Sequence, residues 1–87
     1  MKRDILKTID HVIRTSQQRY KSLDEFAEEV LTEYILSLGQ DSYAIDTANS
    51  AEVKEEILLE IKEITQKKIY GFYDINEYKE FLTKQDS

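Results

Sequence analysis

"SLDEFAEEVLTEYILSLG", residues 22–39, reads as one helix with an apolar side and a nearly all-acid side. Its first four residues carry the capping-box pattern. The Ser22 hydroxyl can accept from the Glu25 amide while the Glu25 carboxylate reaches back over the helix start. Leu23, Phe26, Ala27, Val30, Leu31, Tyr34, Ile35 and Leu38 then recur at the steps of a wide buried stripe. Gly39 stands where a left-handed residue closes a helix, a conformation that costs a residue without Cβ nothing. Start, face and stop are all marked, so this chain is expected to fold by packing amphipathic helices.

The flanking segments extend that expectation. Upstream, Ile5, Leu6, Ile9, Val12 and Ile13 share a helical face that Ser16 and Tyr20 continue, predicting a helix to about Arg19. Downstream, residues 40–50, "QDSYAIDTANS", have turn-forming composition and no helical period; they predict a loop tacked to the core by Tyr43 and Ile45. A third helix is expected from Asn49 or Ser50, with Val53, Ile57, Leu58, Ile61 and Ile64 inward. Lys67 and Lys68 suit its C-terminal dipole, and Gly71 marks its end. "DINE", residues 74–77, repeats the capping pattern ahead of a short helix with Ile75, Tyr78, Phe81 and Leu82 inward. The late aromatics Tyr70, Phe72, Tyr73, Tyr78 and Phe81 are expected to pack that helix onto the core, and residues 83–87 to fray. The chain contains no proline to break a helix. The expected architecture is all-α: one domain over residues 1–87, a small bundle of three longer helices and a short C-terminal one. The alternative pairs "SYAID" with "KIYGFYDI" as a small β-ribbon on the bundle.

Composition sets the scale and the compartment. A chain of 87 residues with 40% hydrophobic content can fold as a globule, with a thin core. Absence of cysteine removes disulfide and thiol chemistry and fits a reducing compartment. Asp4, Asp10 and His11 interrupt every apolar run near the start, so that stretch reads as neither signal peptide nor membrane span. A cytoplasmic protein is expected.

Charge is distributed unevenly within the net −6. Residues 1–21 carry +4, from six Lys and Arg against Asp4 and Asp10. Residues 22–53 contain neither Lys nor Arg and carry −8 from Asp24, Glu25, Glu28, Glu29, Glu33, Asp41, Asp46 and Glu52. Residues 54–87 carry −2, from six Lys against eight acids.

Catalysis is poorly supplied by this inventory. The single histidine, His11, falls opposite the apolar face of its helix, with only Asp10 beside it. One His and no Cys cannot make a zinc set, and "DTANSAEVKEE" lacks the spacing of a calcium loop. Both glycines fall at helix ends, so no phosphate-cradling loop is present. No enzyme activity, metal or cofactor is expected. Nucleic-acid binding has a basic footprint only in Lys2, Arg3, Lys7, Arg14, Arg19 and Lys21, and the acidic helices oppose it.

The acidic face remains. Some of its charge serves the helix dipole, solubility and neutralisation by the basic first element. Exposed ion pairs contribute only about 0–1 kcal/mol each, which gives little reason to strip every cation from so long a run. Steering a cationic partner gives more, because one-signed potential raises association rates by about 10–10³-fold. Leu36 and Leu59 each fall on a polar side among acids, as an apolar centre with a charged rim would. The expected partner-binding residues are Glu25, Glu29, Glu33, Leu36, Glu52, Glu56 and Leu59, and the expected partner is a basic protein. In length and acidity the chain looks like the immunity proteins of colicin nucleases, although their Tyr-Tyr-Pro segment is not found in it. Small antitoxins and phage-encoded inhibitors share this economy of size and charge. The competing readings are a self-associating adaptor, through a seam of Ile57, Ile61, Ile64 and Lys68, and a transcriptional regulator using the basic first helix.

Overall fold

The computed structural model of this chain describes residues 4–16 and 18–86. Five helices follow in order: α1 (Ile5–Thr15), α2 (Leu23–Ser37), α3 (Ser42–Ala48), α4 (Ala51–Lys68) and α5 (Ile75–Asp86). The described residues are all-helical or turn and include no strand, so the β-ribbon alternative fails. Lys2, Arg3 and Ser87 lie outside the described residues.

The caps form where the sequence places them. Ser22 Oγ accepts from the Glu25 amide at 3.3 Å, and the Glu25 carboxylate accepts from the Lys21 amide at 3.4 Å. Asp74 Oδ1 accepts from the Glu77 amide at 3.0 Å, and Glu77 accepts from the Tyr73 amide at 2.5 Å. In both boxes the glutamate reaches one residue further back than the N-cap. Gly39 sits at φ +67°, closing α2 as expected.

Three expectations are corrected. Residues 40–50 are not a plain loop: Asp41 accepts from the Ala44 amide at 3.1 Å and starts α3. Seven residues are too few to display a period, and Asp41 was the only local sign of a start. Tyr43, expected to tack this stretch down, is 82% exposed. Secondly, α5 is not short relative to the rest, at 12 residues against 11 for α1, and it continues to Asp86. Thirdly, α1 ends at Thr15 rather than near Arg19; beyond it the Gln18 carbonyl and both backbone groups of Tyr20 bond α5 instead of a further helical turn.

α2 is the central element, packing on α4 and on α1. An ion pair joins Asp24 at the start of α2 to Lys62 in the later half of α4, so these helices run antiparallel. Phe26, Ala27 and Val30 of α2 meet Ile57 and Ile61 of α4 and Ile5, Ile9, Val12 and Ile13 of α1 in one fully buried cluster. Leu6, expected inward, is 53% exposed; Thr8 turns in instead. Thr65 also lies in the core, one turn beyond Ile61, with Oγ1 lacking any hydrogen-bond partner.

A polar clamp fastens α5. The side-chain amide of Asn76 accepts from the Tyr20 backbone N–H and donates to the Tyr20 carbonyl, both at 2.9 Å and both buried. Lys79 Nζ donates to the Gln18 carbonyl at 2.5 Å and stands 4.9 Å from the centre of the Tyr20 ring. Tyr20 itself meets Phe26 edge-on at 5.1 Å, which ties the clamp to the core.

Two substitutions test these assignments. Asn76→Ala orphans a buried donor and a buried acceptor of Tyr20, so urea denaturation should record a loss of about 1–3 kcal/mol. A loss below about 0.5 kcal/mol, the scale of an ordinary surface change, would refute the clamp. Thr65→Val removes an unpartnered hydroxyl at nearly constant shape, so stability should hold or rise by about 0–1 kcal/mol. Clear destabilisation would mean that Oγ1 has a partner in solution.

Candidate functional site

The seven residues marked in the sequence divide between two surfaces. Leu36, 67% exposed, lies in a shallow groove of about 580 Å³ with Glu33 and Ser37 of α2 and Lys7, Thr8 and His11 of α1. Asp24 of the same helix faces α4 through Lys62. At 3.6 residues per turn, Leu36 lies roughly 120° around α2 from Asp24, which turns it to the α1 side. The groove around Leu36 is therefore of mixed sign, with Lys7 and His11 facing Glu33.

Glu25 and Glu29 serve the fold as well as the surface. Glu25 closes its capping box. Glu29 is half-buried and accepts the Tyr20 hydroxyl proton, while Tyr20 Oη also bonds Ser16 Oγ at 2.8 Å. Burial chiefly, and the Glu29 carboxylate beside it, push the Tyr20 phenol well above its ordinary range. A carboxylate used in this way is a poor candidate for a partner's rim.

The second surface is on α4 and is coherent. Glu52, Glu55, Glu56, Leu59, Glu63 and Gln66 are all exposed, and each stands three or four residues from another of the set, so they form one outward stripe. Leu59 sits centrally at 59% exposure. Past the end of the helix the stripe continues to Tyr70, which shares a shallow hollow with Glu63, Gln66 and Lys67. Tyr70 and Tyr73 are 89% and 91% exposed. The sequence assigns both to packing α5 onto the core, as it does Phe81, which is 41% exposed; of these aromatics Tyr78 packs against the core, and Phe72 meets Tyr78 and Phe81, each at 5.2 Å between ring centres. The available signal was Gly71 between them, since a turn cannot direct every flanking aromatic inward.

Two ion pairs join other elements as well. Arg19 pairs with Glu80 of α5 at 2.9 Å, and Lys68 of α4 pairs with Asp10 of α1 at 3.1 Å. They link α5 to the segment after α1 and α4 to α1. Ile57 and Ile61, the centre of the supposed self-association seam, are fully buried in the chain's own core.

Among the described residues no three of His, Cys, Asp and Glu are grouped as a metal site requires, and no helix is long and apolar enough to cross a membrane. No protein-family model matches the chain, and no curated protein or solved structure matches it significantly.

The clamp between Tyr20 and α5 gives stability a defined alkaline dependence. Folded Tyr20 keeps a proton that the unfolded chain releases above about pH 10, so its contribution is complete below that pH and declines above it. Lys79 acts oppositely. Burial, with help from the Arg19 charge and against the pull of Glu29, lowers its pKa, a cost that disappears as pH approaches the ordinary lysine value of about 10.4. The Tyr20 shift is the larger, so the urea midpoint should fall as pH rises from about 10 to 11.5. Tyr20→Phe should flatten that fall; an equally steep profile in the variant would assign it to other groups.

Proposed function

We propose that this chain is a small non-enzymatic binding protein that docks a basic partner protein on the acidic stripe of α4 and blocks it, in the manner of inhibitors, antitoxins and immunity proteins. The observation that carries the reading is Leu59, exposed within Glu52, Glu55, Glu56 and Glu63 and followed along the same face by Tyr70; Tyr73, beyond Gly71, is exposed as well. Lone exposed leucines are ordinary. A leucine and two tyrosines on or next to one carboxylate-lined stripe have the composition of an interface, in which apolar anchors give residence time and the charged rim gives encounter rate.

Glu25, Glu33 and the other α2 acids contribute to the same negative field without needing to touch the partner. That field reaches about 8 Å at physiological salt, so it acts on the last part of the approach. Leu36 and Glu33, in their mixed groove beside Lys7 and His11, are less suited to a cationic surface than the α4 stripe.

Affinity capture from the source cell's lysate, run beside a Glu52→Lys, Glu55→Lys, Glu63→Lys triple variant, tests the proposal. Native protein should retain a basic protein that the folded triple variant loses, with the association rate falling at least about tenfold at low salt. Leu59→Ala should act mainly on dissociation, weakening the complex by about 1–2 kcal/mol. A partner held at the same rate by the triple variant in low salt would overturn the reading.

A further inference from the structure

A second groove, of about 590 Å³, runs between the end of α1, the linker that follows it and α5. Its character is opposite to that of the α4 stripe. Among the described residues Arg14, Arg19, Lys79 and Lys84 line it, with Glu80 as the carboxylate, on a chain whose net charge is −6. Every other described lining side chain carries a hydroxyl or an amide, so hydrogen-bonding groups stand between the cations.

The arrangement concentrates positive charge. Glu80 pairs with Arg19 at 2.9 Å. Lys79 is only 9% exposed, and its ammonium uses one donor on the Gln18 carbonyl, leaving two. Burial chiefly, with Arg19 adding to it and the Glu29 carboxylate opposing, lowers its pKa.

We propose that this groove binds a small phosphate-class polyanion, a diphosphate or the phosphate chain of a nucleotide, gripped by Arg14, Arg19 and Lys84 with Lys79 beneath it. Guanidinium forks match phosphate oxygens two at a time, and even a guanidinium engaged elsewhere keeps donors to spare. The volume lies within the range of about 300–1,000 Å³ usual for small-molecule sites. An extended nucleic-acid backbone would have to run past the acidic faces of α2 and α4, which repel it. The proposal is independent of the partner-binding reading of α4.

NMR titration of the full chain with sodium pyrophosphate and with ATP, at low salt and without added metal, tests it. Amide shifts should saturate and be confined to residues about 14–20 and 76–84, with the Lys79 side-chain pKa rising on binding. Equal affinity for the two probes assigns recognition to phosphate alone; tighter ATP binding adds the nucleoside to it. Arg14→Gln with Lys84→Gln should weaken binding at least about tenfold, and each alone by less, while Lys62→Gln with Lys67→Gln leaves it unchanged. Circular dichroism verifies that each variant folds. Unsaturated shifts, shifts spread equally over Lys62 and Lys67, or tighter binding of a short DNA duplex than of ATP would each overturn the proposal.

Discussion

The side-chain amide of Asn76 fills the place of a neighbouring backbone for Tyr20, and the rest of this structure depends on that exchange. An extended linker entering a protein interior has amide and carbonyl groups that water can no longer satisfy, each at a cost of about 1–3 kcal/mol if left alone. Asn76 meets both groups of Tyr20 at 2.9 Å, and Lys79 meets the Gln18 carbonyl. The chain can therefore leave the helical path after Thr15, cross the bundle and turn into α2. Without that crossing Tyr20 would not reach Phe26 and Glu29, and α5 would have no specific seat on a core too thin to hold it by apolar contact alone.

The same clamp separates the charges of the molecule. Because Gln18 and Tyr20 are bonded to α5, Arg19 between them meets Glu80, beside Lys79 and Lys84. Positive charge gathers in one groove. The α4 carboxylates keep an open outward stripe, and two surfaces of opposite sign coexist on 87 residues. Their chemical demands differ as well. The groove presents donors on cationic side chains; the stripe presents Leu59 and Tyr70 among acids.

Much of the bundle could be read from local pattern. The buried positions of α2 and the apolar centre of α4 follow helical periodicity, and both capping boxes formed at Ser22 and Asp74. Misreadings came where local pattern had competitors. α3 was too short for periodicity, Thr8 displaced Leu6 from the core, and Thr65 took a buried position that its hydroxyl argues against. For the candidate site, the exposure of Leu36 and Leu59 was legible from the wheel, whereas the outward turn of Tyr70 and Tyr73 was not.

What the sequence determined by itself was the helical class, the positions of the caps and the acidity of the outer faces, because each follows from residues within a turn or two of one another. Which acids remain available, where the cations collect and which way a tyrosine points depend on contacts between residues as distant as Tyr20 and Asn76. Only the folded chain brings such groups together, and a hydrogen bond of that span leaves no periodic trace in the sequence.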